Sequence, residues 1–294
     1  MDIYKLKEIC DDLDSSDFFE ESKDNILSGF SGKKLCRAIQ TFTANIADKN
    51  NVYLEIGVFQ GLTLLSNANA NKDIKCIGID NFSLFNEGGK NKEIVLRRKE
   101  KLGLNNVQLL DMDFEDALDN LNNYLEANQK ISVFFIDGAH DYRSQFISLL
   151  KIKNYLADNC VIIIDDANYP HVRQATKDFL STDKNFKLLC EAYTKAHPSN
   201  LSDKEKNESI KGWWNGINII VRDKDNKLNY SFPKIDKYNR DFHFLTHDFL
   251  RTKYVEINFE LIKEAQKFVF DYEKNHEIIQ SIKEMLMKHN LKYP

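Results

Sequence analysis

Residues 51–66 read NVYLEIGVFQGLTLLS, and the architecture turns on this stretch. Val52–Ile56 is a short apolar run with β-branched residues and one acid, Glu55, near its end. Gly57 follows, then Gly61, then a run of helical character. A buried strand that enters a glycine turn and continues as a helix opens a nucleotide-binding α/β unit. Gly57 permits a tight turn, and Gly61 permits close approach of a ligand to the backbone. Two glycines at this spacing occur in many strand–helix turns, so the assignment depends on what surrounds them.

Downstream, strands and helices alternate. Expected strands cover Lys75–Ile79, Val107–Leu110, Ser132–Ile136, Cys160–Ile164, Phe186–Ala192 and Gly216–Val221. Expected helices cover about Gly61–Asn69, Asn91–Leu102, Phe114–Ala127, Ser144–Leu156 and His171–Leu180. This alternation predicts an α/β, Rossmann-like fold: a mostly parallel sheet with helices on both faces. Ligands in such sheets sit outside the carboxyl ends of the strands. Acids stand at five successive strand ends here: Glu55, Asp80, Asp111 or Asp113, Asp137, and the pair Asp165-Asp166. A single acid at a strand end is usually a helix cap. Five in succession converge on one rim.

The flanks differ from this core. Residues 1–50 predict a helical cap, with Leu35, Ile39, Phe42 and Ile46 forming one apolar stripe. Residues 51–232 form the expected α/β domain. Residues 233–294 predict a helical extension, a candidate surface for homo-oligomer formation together with the N-terminal helices. Lys195–Gly212 is polar and joins two expected strands, which predicts a mobile loop and lid. The chain has 294 residues and a net charge of −4. That balance gives no broad basic surface for nucleic acid or anionic membrane. No apolar run is long enough to span a bilayer, and the N-terminus lacks the apolar core of a signal peptide. The five cysteines show no CxxC spacing, which fits free buried thiols in a cytoplasmic protein.

Four segments, LEIGVFQGLT, GIDNFS, DMDFEDAL and FFIDGAHDYRSQFISLLKIKNYLADNCVIIIDD, carry a resemblance. Over about Val52–Asp166 the chain resembles class I S-adenosylmethionine-dependent methyltransferases. Within them it is most similar to small-molecule O-methyltransferases with a Phe-Ile-Asp-Gly-x-His motif, and GWWNGINIIVR continues the match. The resemblance implies a seven-strand sheet with its last strand antiparallel. It departs from the family pattern at Met112, where a glycine is usual, and at Asp158-Asn159, which replace a Gly-Gly pair expected in a turn.

The resemblance also implies roles. Glu55 would meet the methionine amino group of S-adenosylmethionine, with Gly57 and Gly61 allowing its approach. Asp80 would accept the ribose hydroxyls and Asp113 the adenine amino group, although Asp113 also suits an N-cap. Asp137, Asp165 and Asp166 form an oxygen donor set suited to Mg²⁺ or a similar divalent cation. Asp165 and Asp166 point to opposite sides unless the chain turns there. His140, with Asp137 and Tyr142 nearby, is the expected catalytic group, and His171 is a second candidate base. His243 and His247, four apart, lack a third ligand for zinc. The expected activity is methylation of a small-molecule hydroxyl, on a sugar or secondary metabolite. An NAD-dependent oxidoreductase and a non-catalytic binding protein are the alternatives. Phe59 and Leu62 at the first turn weigh against a dinucleotide.

Overall fold

The structure is a computed structural model that describes residues 2–15 and 26–235. Of the expected C-terminal extension, residues 236–294, including His243 and His247, lie outside the described residues. Two amphipathic helices come first, α1 (Ile3–Ser15) and α2 (Lys33–Ile46). Leu35, Ile39 and Phe42 of the α2 stripe are fully buried. Strand and helix then alternate: β1 (Asn51–Ile56), α3 (Leu62–Ala70), β2 (Lys75–Ile79), α4 (Asn91–Lys101), β3 (Val107–Leu110), α5 (Phe114–Asp119), β4 (Lys130–Ile136), α6 (Tyr142–Ile152), β5 (Leu156–Ile164), α7 (Pro170–Thr182), β6 (Phe186–Ala192), α8 (Asp203–Lys211) and β7 (Ile217–Arg222).

The strands form one seven-stranded sheet in the order β3-β2-β1-β4-β5-β7-β6. β1 to β5 run parallel, and β7 pairs antiparallel with both β5 and β6. Period-two alternation divides the core between the two faces. Tyr53, Phe135 and Ile163 pack with α1, α2 and α3 on one side, and Leu54, Phe134 and Ile162 pack with α6 and α7 on the other. Runs buried on both faces are what a covered parallel sheet requires. The connections from β1 and β4 leave in opposite directions, so a crevice opens between those neighbouring strand ends.

Four expectations need correction. The helix expected over Phe114–Ala127 ends at Asp119 and is followed by a 3₁₀ turn, Leu121–Asn123. Asn120, Asn122 and Asn123 favour turn geometry over continued helix. The next expected helix stops at Ile152, and Leu156 already belongs to β5. Asp158 and Asn159 lie inside β5 rather than in a turn, where the β4–β5 register shifts between Ile131 and Val133. Asp158 points outward to Lys224 at 2.5 Å. Finally, Lys195–Gly212 contains a 3₁₀ turn and α8. The helix starts with a capping box in which Ser202 and Glu205 satisfy each other's end groups. No helix among the described residues is long and apolar enough to cross a membrane.

Candidate active site

A cavity of about 750 Å³ opens over the carboxyl ends of β1 to β5. Its floor includes Gly57, Asp80, Asp113, Asp137 and Asp166, so acids from four strand ends do share one rim. Ile79, Val58, Met112 and Phe114 add apolar surface on the β2–β3 side. Such a volume lies within the range of small-molecule and cofactor sites, about 300–1,000 Å³.

The glycine turn is shaped by the protein's own packing. Gly57 has φ +90°, and a Cβ there would meet the carbonyl oxygen of Asp137 at 1.9 Å. Neighbouring strand ends can approach this closely only without a side chain. Gly61, φ +84°, precedes α3, and a Cβ would press on Leu65 and Val95. Gly57 lines the cavity, but Gly61 does not. The strain on Gly61 therefore comes from packing rather than from an approaching ligand.

Glu55 is fully buried and does not line the cavity either. Its carboxyl accepts hydrogen bonds from the Tyr53 hydroxyl at 2.5 Å and the Thr63 hydroxyl at 3.2 Å, and from the Leu64 backbone N–H. It thus caps the start of α3. Burial pushes its pKa up to about 8 despite these donors. Asp80 lines the cavity while bracing the same turn. It accepts from the N–H groups of Val58 (2.9 Å), Phe59 (2.8 Å) and Phe82 (2.7 Å). A carboxylate has about four acceptor sites, so one remains for a ligand hydroxyl. Asp113 combines both expected features: it caps α5 through the Glu115 N–H at 2.8 Å and lines the cavity.

At the ends of β4 and β5, Asp137, His140 and Asp166 offer ligand atoms that all lie within 4.8 Å of one another. His140 Nε2 meets Asp166 Oδ2 at 3.0 Å, and Asn215 donates to the other oxygen of Asp166. Enclosed His140 Nδ1 has no hydrogen-bond partner. Burial, together with Asp165 and Asp166, pushes the Asp137 carboxyl well above the usual carboxylate range. Burial also acts to raise Asp166, but the hydrogen bond and charge of His140, helped by Asn215, outweigh it and hold that carboxyl low.

Asp165 is not part of this group. Asp166 has φ +55°, so the chain turns there, yet the two carboxylates still diverge. Asp165 is buried, and its Oδ1 accepts the Asp166 N–H at 2.8 Å. The three side chains that meet are therefore two carboxylates and one imidazole, and Asp165 of the expected oxygen set stands outside them. Tyr142 is also displaced from its expected role. It is the first residue of α6, and its hydroxyl donates to Asp178 at 2.8 Å, away from the cavity. His171 stacks on Tyr169 and does not line the cavity.

Several lining residues, Phe30, Phe85, Tyr169 and His197 among them, had no readable signal. Phe30, from the SGFSG turn, stacks on Phe59 at 4.8 Å and approaches Trp214 at 6.1 Å, while Phe85 meets its edge. Phe59, Phe85 and Trp214 all have positive φ, a strained backbone for large side chains that concentrates at functional sites. Trp214 lines the cavity, whereas Trp213 is buried and donates to Asp14 at 2.8 Å. Tyr169 and His197 complete the β5–β7 side.

Residues 54–167 match the family model described as a methyltransferase domain. No curated protein matches the sequence. Distant fold likenesses include an O-methyltransferase from Bacillus cereus in complex with S-adenosylhomocysteine (15% identity, 74% of this chain and 90% of that one, TM-score 0.47). Others are a precorrin-6y C5,15-methyltransferase from Geobacter metallireducens (13%, 72% and 96%, 0.46) and an S-adenosylhomocysteine-bound methyltransferase from Podospora anserina (15%, 76% and 88%, 0.42). The domain match covers the glycine turn and the strand-end acids, inside a seven-stranded sheet whose β7 is antiparallel as the sequence resemblance implies. Residues 54–167 of this chain are thus similar to a methyltransferase domain.

Proposed function

We propose that the protein transfers a methyl group from S-adenosylmethionine to a hydroxyl of a small molecule. The observation that carries this reading is the His140–Asp166 pair, set at the rim of a cavity whose other end is lined by Gly57, Asp80 and Asp113. The residues present suit the cofactor. Asp80 keeps an acceptor site for a ribose hydroxyl, Asp113 faces the same space, and Met112 and Phe114 offer apolar surface for a purine. When bound, S-adenosylmethionine supplies an electrophilic methyl group.

The chain's own residues orient the acceptor and take its proton. Asp166 fixes the imidazole through Nε2 at the cavity wall, and the acceptor's proton passes to this His140–Asp166 pair. Tyr169 stacks on the imidazole with centroids 6.0 Å apart and limits its rotation. Trp214 and Phe30 add aromatic surface to the same cavity.

A divalent cation is a second reading, favoured by the clustering of Asp137, His140 and Asp166. Those three residues would hold it, and it would supply Lewis-acid stabilisation of the acceptor oxygen. An imidazole in the set favours Mn²⁺, Fe²⁺ or Zn²⁺ over the Mg²⁺ expected for oxygen ligands alone.

Labelled methyl transfer to a panel of hydroxylated small molecules tests the activity. His140→Ala should lower kcat by about 10²–10⁴-fold and leave S-adenosylhomocysteine affinity unchanged. Turnover equal to wild type in His140→Ala removes the base role. Loss of turnover on chelation, with recovery on adding Mn²⁺, selects the cation reading, and full turnover in metal-stripped protein excludes it.

A further inference from the structure

A second, smaller recess of about 450 Å³ adjoins the main cavity, and Tyr169, His197 and the neighbourhood of Asn215 connect them. It lies beyond the β5–β7 side, away from the glycine turn and Asp80. Its walls come from the start of α7, the segment after β6 and the residues before β7. The lining is cationic and polar: Arg173, Lys195 and Lys234 stand among asparagines, tyrosines and Thr194, and no Asp or Glu lines it among the described residues.

Arg173 is the decisive side chain. Its guanidinium lies over the Tyr193 ring, 4.9 Å from the centroid, which holds the planar group in place. Its Nε is enclosed and has no hydrogen-bond partner. Among the described residues no carboxylate pairs with Arg173 or with the Lys234 ammonium. The nearby acids are already engaged. Glu205 takes Lys195 at 2.6 Å, Glu191 accepts from the Tyr193 hydroxyl and the Lys234 backbone N–H, and Asp166 is held by His140 and Asn215. A cationic recess with no carboxylate in its lining is complementary to an oxyanion, which the held guanidinium can meet through its terminal N–H groups.

We propose that this recess is an oxyanion subsite and that the methyl acceptor carries a carboxylate or phosphate, held there by Arg173. The acceptor hydroxyl then reaches back past Tyr169 and His197 to the His140–Asp166 pair. The word acceptor rests on the methyl-transfer reading, whereas the subsite rests on the recess alone.

Inorganic phosphate and acetate are the probes. Phosphorus-31 line broadening reads phosphate, and proton saturation transfer reads acetate, each against wild type, Arg173→Gln, Arg173→Lys and Lys234→Gln. At least one anion should bind the wild type, with affinity about tenfold weaker in Arg173→Gln and partly restored in Arg173→Lys. Lys234→Gln, at an exposed position, should weaken binding about two- to threefold and gives a reading if Arg173→Gln does not fold. Whichever anion binds names the acceptor's acidic group. If neither binds, or if binding is equal across the four proteins, the proposal is overturned. S-Adenosylhomocysteine calorimetry on the same samples should show equal affinity throughout. Its absence in wild type would refute the methyl-transfer reading without touching the anion result.

Discussion

Glu55 carries a pH signature because burial keeps its carboxyl protonated up to about pH 8. The unfolded chain releases that proton near the ordinary carboxylate value, about 4.3. Between these values the folded state binds more protons, so stability falls as pH rises and levels off above about 8. Glu55→Gln removes this contribution, which is on the order of 5 kcal/mol across the window. Urea denaturation at pH 5, 6.5 and 8 should show a shallower decline in the variant. Some slope will persist, because Asp137 and Asp165 are also raised. An unchanged slope would mean that Glu55 does not hold its proton in the fold. Gly57→Ala tests the turn differently. With a Cβ 1.9 Å from the Asp137 carbonyl, the β1 and β4 ends must separate. A loss of more than about 2 kcal/mol in stability is expected, together with weaker S-adenosylhomocysteine binding. At this scale the sequence located the acids but not their directions. Asp165 and Asp166 are equivalent in the one-letter code. Only the positive φ of Asp166 and the contacts with His140 and Asn215 decide which one faces the cavity.

The helix α8 shows what periodicity missed. Asp203–Lys211 is strongly charged, with Ser209 its only buried residue, so an apolar stripe never announces it. The readable signal was Ser202-x-x-Glu205, whose side chains and backbone satisfy each other. Strand positions were legible because β1 to β5 are buried on both faces and read as apolar runs. The early start of β5 was hidden by its exposed Asp158 and Asn159. α8 contributes Lys206 to the cavity wall, and the preceding turn contributes His197, Pro198 and Ser199. The segment Lys195–Gly212, expected to act as a lid, thus borders the cavity as a capped helix and its turn. Ser202→Ala should cost this helix about 1 kcal/mol. Hydrogen exchange over 203–211 should then quicken about fivefold, with β1 to β5 unchanged. Exchange in this segment should also slow when S-adenosylhomocysteine and an acceptor are both bound. Equal rates with and without ligands would assign α8 a purely structural role.

Across the whole molecule, one sheet order separates two kinds of ligand chemistry. The β3-β2-β1-β4 half presents Asp113, Asp80 and Gly57, and the β4-β5-β7 half presents Asp137, His140, Asp166 and Trp214. A dinucleotide would need its pyrophosphate at the N-terminus of α3, where unpaired N–H groups meet an anion. Glu55 already occupies that position, taking the Thr63 hydroxyl and the Leu64 N–H from inside the core. A pyrophosphate there would find the Leu64 N–H already taken. S-Adenosylmethionine has no phosphate, so the same capped helix is compatible with it. Ligand linkage turns this into a measurement on the intact chain. A ligand at 100 times its Kd stabilises the folded state by about 2.7 kcal/mol. For a domain of this size, that is a rise in Tm of roughly 5–10 °C. S-Adenosylhomocysteine should produce such a rise and NAD none. Asp80→Asn should reduce the S-adenosylhomocysteine shift, because an amide binds ribose hydroxyls and the Val58 and Phe59 N–H groups less well than a carboxylate. A shift with NAD that survives Asp80→Asn would overturn the assignment of this half of the cavity.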